Sequence, residues 1–568
     1  MISNHKINKQ ISYQIKLMNF KQQIITKLKN ITKLKEIPLE VPPDPLMGDY
    51  AFPCFILCRK LKKSPAEIAK ELVDRFKTGK FIEKVTANGP YLNFFINKEY
   101  FIQEALNNSF EIKPYKKIKK RIMVEYCAPN TNKPLHLGHL RNMFIGNSVI
   151  LLLKFTGNDV IQANLVNDRG IHICQSMLAY KKYGNNKKPN KKTDHFVGDF
   201  YVMFQNKKNE ELEKESYELL KKYEKGDKET LSLWKKMNDW ALKGFEETYT
   251  KLNIKFDKVY YESEYYKKAK ELILKYYKKG IFRKDNDGNI IAPTEPYRVV
   301  LRDDGTSVYI TQDIYLAHQK FRDYKLDKSI YVVASEQNLH FKQLFEILKL
   351  MKYKWHDKLY HLSYGLVNLP EGRMKSREGK VVDADDIIEE MTSLAEKEIK
   401  KRHKLSEKEL KERSKAIGIA ALKFYMLKND PAKEIVYNPE ESISFEGETG
   451  PYLQYTYARI CSILRKYGKK VKKANTTSLK NREDFEIAKL LAEFNNVVEE
   501  STQNYKPSLL CRYLLDLSQK FNNYYRYYPI MREKEEELRE ARLMLAYCVK
   551  EILKTGLSLL GIEAIEEM

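Results

Sequence analysis

The stretch Glu125-Tyr-Cys-Ala-Pro-Asn-Thr-Asn-Lys-Pro-Leu-His-Leu-Gly-His-Leu-Arg-Asn142 constrains this chain more than any other. Ahead of it runs Arg121-Ile-Met-Val124, short and apolar, and behind it Met143 to Leu153 has the composition and length of a buried helix. The order is strand, loop, helix. The loop sets Pro129 and Pro134 among polar residues and brings His136 and His139 to the point where the helix should begin, with Gly138 between them. Two histidines at i and i+3 beside a helix start can both donate a hydrogen bond to one anion, and the helix dipole adds fixed positive potential there. That suits a nucleotide α-phosphate, and Gly138, lacking a Cβ, leaves room for a flat base against the backbone. A His-x-Gly-His tetrapeptide alone is weak evidence, because a structural pair or a metal site would look the same. A metal would want another ligand close by, and the local sequence offers only Glu125.

The same order recurs along the chain. Asp159 to Val166 reads as a strand ending in Asn167-Asp-Arg-Gly170, and Ser329 to Ala334 as an apolar strand ending in Ser335-Glu-Gln337. His361 to Val367 is a further strand. Repeated strand, polar loop and helix predict a parallel sheet with ligands beyond its carboxyl ends. Tyr297 to Leu301 and Ser307 to Thr311 read as a hairpin turning at Asp303-Asp-Gly305. A polar, Lys-rich, helical stretch without strand pattern runs from about Tyr183 to Asp257 and reads as an insertion, with outer bounds of about 183–296. Before the sheet, Ser64-Pro-Ala-Glu67 predicts a helix from Pro65 to about Phe76, and Val85 to Ile96 reads as two strands joined at Gly89-Pro90, displaying Tyr91, Asn93 and Phe95 on one face. From about Arg402 onward the pattern is helical, with stripes at Leu453, Tyr457, Ile460 and Leu464 and at Ile487, Leu490, Leu491, Phe494 and Val498. The fold class expected is therefore α/β: a Rossmann-type parallel-sheet domain over 116–410, a small α+β domain over 18–115, and an all-α bundle over 411–568. Residues 1–17 read as an extension ahead of Met18.

The 568 residues carry a formal net charge of +26 and 43% hydrophobic residues. The charge points to a polyanionic partner, with nucleic acid the default, although joint abundance of Lys, Asn, Ile and Tyr would also follow from AT-rich coding. The seven cysteines are scattered and show no zinc spacing, so no structural metal and a reducing compartment are expected. No apolar run can span a bilayer and no signal peptide is evident, which leads to an expectation of a cytoplasmic protein without membrane contact.

Asn130-Thr-Asn-Lys-Pro-Leu-His-Leu-Gly-His-Leu-Arg141 resembles the His-x-Gly-His motif of class I aminoacyl-tRNA synthetases, in the form carried by the arginyl-tRNA synthetase family. Glu125, Asn167-Asp-Arg-Gly170, Tyr309-Ile-Thr-Gln-Asp313, Ser335-Glu-Gln337, the loop Arg373-Met-Lys-Ser-Arg377 and Gly450-Pro-Tyr-Leu-Gln-Tyr-Thr-Tyr-Ala-Arg459 follow in that family's order. The resemblance covers nearly the whole chain from Met18. It implies activation of L-arginine with Mg-ATP to arginyl-adenylate, a step that requires tRNA in most of the family, and transfer to the 3'-terminal ribose of tRNA-Arg by a monomer.

The family's residue roles carry over by motif position. His136 and His139 would stabilise the transferring phosphate, with Lys133, Lys375 and Arg377 as further catalytic cations, while Gly138, His139, Met374, Lys375 and Ser376 would bind ATP. Glu125, Asn130 and His136 would hold the α-amino and carboxylate groups, and Tyr309, Asp313 and Gln337 the guanidinium. The loop departs from the Lys-Met-Ser-Lys-Ser pattern, with Arg373 in the first Lys position, so which cation carries its usual work stays open. For tRNA, Asn88, Tyr91 and Asn93 occupy D-loop-binding positions, and Tyr457 and Arg459 belong to a helix resembling the anticodon-binding domain. Tyr-rich helix faces are also ordinary core. The competing readings are another class I synthetase, a non-catalytic RNA-binding paralogue, or a nucleotidylyltransferase using the same helix-start chemistry.

Overall fold

The computed structural model describes residues 20–116, 118–368, 382–402 and 404–568. They form two compact units. One holds the chain up to Ile112 with Arg459–Asn495 and Asp516–Leu553, and the other holds Lys113–Ala458, Asn496–Leu515 and Lys554–Met568.

In the first unit, α1 (Phe20–Thr32), α2 (Pro65–Arg75) and α3 (Lys98–Ser109) accompany a three-stranded antiparallel sheet of order β1-β3-β2, made of β1 (Tyr50–Pro53), β2 (Ile82–Asn88) and β3 (Tyr91–Ile96). The start of α2 is locally encoded. Ser64 Oγ accepts from the Glu67 N–H, and the Glu67 carboxylate accepts from the Ser64 N–H, so two orphan donors are satisfied. Leu92 and Phe94 alternate inward and join Ile24, Leu28, Ile68 and Leu72 in one core. Helix α3 packs on the unit's C-terminal helical segments: the Phe101 and Phe485 rings lie 5.2 Å apart and the Thr476 N–H donates to Gln103 at 3.0 Å. Those segments come from α14 (Gly450–Tyr467), α15 (Arg482–Gln503), α16 (Pro507–Tyr527) and α17 (Glu536–Leu559), which are divided between the two units.

The second unit is built on a five-stranded parallel sheet of order β11-β10-β4-β5-β6. The chain enters at the centre with β4 (Arg121–Glu125), climbs through α4 (Leu137–Phe155) to β5 (Asp159–Val166), and reaches the edge at β6 (Lys258–Tyr261). It then crosses to the other side of β4 for β10 (Lys328–Ala334), α11 (Asn338–Leu350) and β11 (Leu359–Tyr364). Strand order reverses between β4 and β10. Such a switch point opens a crevice at the carboxyl ends of the two strands.

Between β5 and β6 lie α5 (Ile171–Tyr183), α6 (Thr193–Lys207), α7 (Glu210–Lys225) and α8 (Lys228–Leu252). The inserted helices therefore end before Lys258, because β6 pairs with β5 as part of the main sheet. The outer span of 183–296 reaches beyond these helices, which end close to Asp257. It also takes in α9 (Glu262–Lys278) and part of a small antiparallel sheet formed by β7 (Arg283–Lys284), β8 (Ile290–Ala292) and β9 (Arg298–Leu301).

A second correction concerns Ser307 to Thr311, which is no strand: α10 (Tyr309–Tyr324) begins there. Thr311 Oγ1 accepts from the Val308 N–H at 3.0 Å and donates to the Val300 carbonyl at 2.5 Å, while Ile310, Ile314, Ala317 and Phe321 bury at helical spacing. Finally, β12 (Val367–Asn368) pairs in parallel with β13 (Ile435–Val436), so this fold continues past residue 410 through α12 (Ala384–Lys400) and α13 (Glu407–Leu427).

Candidate active site

The crevice between β4 and β10 holds a cavity of about 370 Å³, lined among others by Cys127, His136, Gly138, His139, Val333 and Ala334. His136 is the N-cap of α4 in extended backbone, and its Nδ1 accepts the Gly138 N–H at 3.2 Å. His139 Nδ1 accepts the His136 N–H at 3.1 Å. Each ring therefore uses Nδ1 as acceptor and carries its proton on Nε2. Burial, and next the charge of Lys133, push His136 down to about 3, and burial with the His136 and Lys133 charges holds His139 well below the usual histidine range. The pair consists of two neutral Nε2–H donors at a helix start, with ring centroids 3.9 Å apart. A Cβ on Gly138 would sit 3.1 Å from the His136 ring, so glycine keeps this packing open.

Two residues before Cys127, the chain enters an acidic cluster. Glu125, the last residue of β4, is 6% exposed and forms an ion pair with Lys320, which is fully buried on α10. Burial pushes Glu125 up while Lys320 opposes it, and the carboxylate keeps the Lys320 ammonium charged against its own burial. One turn apart on α10, Tyr309 and Asp313 share a face. Tyr309 is 62% exposed, and Asp313 bonds His340 Nε2 at 2.7 Å, whose Nδ1 lies 3.4 Å from Arg298. Gln337 closes the short turn after β10 and is exposed. Asn130 is half-buried, and its backbone is bridged to Asn167.

Glu262 opens α9 at 5% exposure, and its Oε2 has no partner among the described residues. Burial pushes its carboxyl up to about 8, with the Asp313 and Asp168 charges adding to the rise and Arg169 opposing. Lys320, His340 and Glu262 were not singled out from sequence. Lys320 lies seven residues beyond Asp313 on the same helical face, which is a usable signal, but an isolated lysine at that spacing reads as solvated. A buried carboxylate without a partner among the described residues, lifted further by neighbouring carboxylate charges, favours a cation close by.

Lys133 is half-buried, burial lowers it, and no carboxylate pairs with it among the described residues. Helix α6 braces this segment, with Gly198 so close to Pro134 that a Cβ would stand 2.6 Å from the proline ring. On the other side the Leu137 N–H donates to the Val382 carbonyl and the Ala384 N–H to the Leu135 carbonyl, tying the root of α12 to the histidine loop. Asp194, His195 and Asp385 gather there as a candidate cation cluster. Lys192 Nζ lies 2.9 Å from Asp194 and 2.6 Å from Asp385, so a lysine ammonium already stands where a metal would. The residues do not fit a metal site. Arg373, Met374, Lys375, Ser376 and Arg377 lie outside the described residues.

The expected RNA contacts are spread unevenly. Asn88 is exposed and Tyr91, at the start of the central strand β3, is half-buried, with the Phe55 ring meeting it edge-on at 5.8 Å. Asn93 is only 2% exposed, and its Oδ1 has no partner among the described residues. Tyr457 is 1% exposed and belongs to the helix's buried stripe, so its ring offers no surface for a base in this conformation. Arg459 donates to Asn522 at 2.7 Å.

Comparison with known proteins accords with this arrangement. Residues 101–438 match the family "tRNA synthetases class I (R), catalytic domain", 453–568 the "DALR anticodon binding domain", and 18–96 the "Arginyl tRNA synthetase N terminal domain". The arginine–tRNA ligases of Treponema denticola and Treponema pallidum are 45% and 42% identical to the chain, each over 94% of it and 95% of their own length. Among solved structures, the Thermus thermophilus arginyl-tRNA synthetase superposes with a TM-score of 0.80 at 28% identity, covering 96% of this chain and 99% of that one. The Plasmodium falciparum arginyl-tRNA synthetase has a TM-score of 0.77 at 20% identity over the same shares, a likeness of fold. With a catalytic-domain match over 101–438 and relatives of 45% and 42% identity aligned over 94% of its length, the chain belongs to the arginine–tRNA ligase family of class I aminoacyl-tRNA synthetases.

Proposed function

We propose that this chain activates L-arginine with Mg-ATP to arginyl-adenylate and transfers the arginyl group to the 3'-terminal ribose of tRNA-Arg, releasing pyrophosphate and then AMP. The observation that carries the reading is the meeting, within one fold, of two neutral Nε2–H donors at a helix start and a buried acidic recess holding the unpaired Glu262. In the first step a carboxylate oxygen of arginine attacks the α-phosphorus as the bond to pyrophosphate breaks. His136 and His139 donate from Nε2 to the phosphate oxygens as charge builds there, and the helix start adds its potential. No proton has to move through the histidines, which suits rings held neutral by burial. Lys133 supplies positive charge to the phosphates, with Lys375 and Arg377 as further cations and Met374, Lys375 and Ser376 binding ATP by motif position, and Gly138 gives the nucleotide access to the backbone. A ribose hydroxyl then attacks the carbonyl carbon and AMP leaves.

The guanidinium enters the recess, where Asp313 and Glu262 offer carboxylates in two directions, and Tyr309 and Gln337 add oxygens at the rim. A guanidinium presents paired N–H groups to both carboxylates, which a lysine ammonium cannot do in the same geometry. Glu125 and Asn130 take the α-amino group, and His136 meets the carboxylate. Asn88 and Tyr91 present an amide and a ring to an unstacked base, and Arg459 faces the tRNA from the helical bundle. The enzyme acts as a cytoplasmic monomer, and tRNA completes the site for activation. The test is pyrophosphate exchange into ATP with each amino acid, with and without tRNA. Exchange only with arginine and tRNA together is expected. Exchange driven by another amino acid would overturn the assignment.

A further inference from the structure

The wall of the crevice contains an unusual turn. Directly after Glu125 and Tyr126, Cys127 and Ala128 both stand in the left-handed region, at φ 77° and 52°. Neither is glycine, and neither is an Asn or Asp that tolerates this region more readily. The Ala128 N–H donates to the Tyr126 carbonyl at 3.2 Å, closing a γ-turn over Cys127 of the rare positive-φ kind. A strained pair of this sort persists only where its surroundings over-determine it.

Asn142 supplies that constraint. It is 4% exposed on α4, one turn beyond His139. Its Oδ1 accepts the Cys127 N–H at 2.6 Å, and its Nδ2 donates to the Val332 carbonyl at 2.7 Å and to the Tyr364 hydroxyl at 3.1 Å. One amide thereby binds the turn after β4, the backbone of β10 and a side chain of β11. These are three adjacent strands spanning the switch point, and the first two form opposite walls of the cavity. Asn164 on β5 adds a second bond, accepting from the Ala128 N–H at 3.2 Å, and the Tyr249 hydroxyl lies 3.3 Å from Cys127 Sγ.

We propose that Asn142 is a positioning residue for ATP: its side-chain amide sets the width of the crevice and holds the Cys127–Ala128 turn in the left-handed form that gives the nucleotide its wall. The amide's acceptor and both of its donors are in use, so no other side chain reproduces the set. Aspartate keeps the acceptor but loses both donors. This inference deepens the arginine–tRNA ligase reading, and it is tested first without any amino acid, so the two can fail separately.

The experiment measures ATP binding by calorimetry to the full chain, followed by KM for ATP and for arginine. Asn142→Ala should weaken ATP binding and raise its KM by about 10²-fold through misplacement of the wall, while KM for arginine changes by less than about threefold. The diagnostic step is rescue. Glycine takes φ > 0 without cost, so Cys127→Gly in the Asn142→Ala background should restore at least about tenfold of the ATP affinity. Cys127→Val, β-branched and opposed to this conformation, should weaken ATP binding with Asn142 intact. Wild-type ATP affinity in Cys127→Val, or no rescue by Cys127→Gly, would overturn the proposal. Equal losses for ATP and arginine would also overturn it, because they would mean a merely structural role. If Asn142→Ala does not fold, Cys127→Val with Asn142 intact decides the matter alone.

Discussion

Replacing Lys320 by methionine removes a fully buried ammonium from beside Glu125, whose side chain is 7% exposed. At an effective dielectric near 20, opposite charges about 4 Å apart attract by about 4 kcal/mol, and breaking a buried pair costs about 3–5 kcal/mol. The loss has a ceiling, because the stranded carboxylate can take up a proton. Burial already pushes Glu125 up, and neutralising a carboxyl of ordinary pKa about 4.3 at pH 7 costs about 4 kcal/mol. A group whose folded pKa exceeds its unfolded value loses stability as pH rises above the latter, by about 1.4 kcal/mol per unit. Lys320→Met should thus be destabilised by about 4 kcal/mol at pH 7 and by about 1 kcal/mol at pH 5. Adding Glu125→Gln should recover most of the deficit at pH 7. Tryptophan fluorescence during urea unfolding is a suitable assay, since Trp234, Trp240 and Trp355 all belong to the unit that contains this pair. A Lys320→Met loss below about 1 kcal/mol at pH 7, or one that does not shrink at pH 5, would refute the burial argument.

Three other outcomes are expected. A bound guanidinium favours ionised Glu262, whose carboxyl is pushed up to about 8, so arginine affinity should rise as pH climbs toward 8 and level off above it; Glu262→Gln should abolish that dependence in a KM-against-pH series. Because both site histidines donate from Nε2, His136→Gln, whose amide nitrogen mimics Nε2, should retain about tenfold more activation rate than His136→Asn, whose amide mimics Nδ1; pre-steady-state adenylate formation gives the ratio, and equal rates would reverse the tautomer assignment. Against the upward push of burial, hydrogen bonds from His195, Lys192 and Lys251 hold Asp385 well below the usual carboxylate range. Its stabilisation is therefore present above pH about 4 and lost as pH falls below that, so Asp385→Asn should flatten the acid limb of a melting-temperature profile while lowering its plateau.

Features encoded over a few residues were legible in the sequence. The Ser64 to Glu67 cap, the Gly89-Pro90 hairpin and the histidines at a helix start depend on neighbours in the chain, and each appears where its pattern placed it. One misreading also has a local cause. Ser307 to Thr311 alternates like a strand, but the bond from Thr311 to the Val300 carbonyl and the apolar spacing beyond it favour a helix. Lys258–Tyr261 is a four-residue strand between Lys-rich stretches, recognisable only by its pairing with β5. Tyr457 was pulled toward RNA by resemblance and toward the core by its stripe, and its burial follows the stripe.

The chemistry of the site depends on longer-range contacts. Lys320 meets Glu125 across 195 residues of sequence and His340 meets Asp313 across 27, distances over which no periodicity carries information. The motif letters specify that His136 and His139 are present but not what they do. Two backbone N–H groups occupying Nδ1, together with burial that keeps the rings neutral, decide that both present Nε2–H to the crevice. The same sequence on a less buried helix start would titrate near neutral pH and would no longer be held to one tautomer. The donor character of the motif therefore belongs to the packing around it: Gly198 against Pro134 on one side and the Asp385 cluster at the root of α12 on the other.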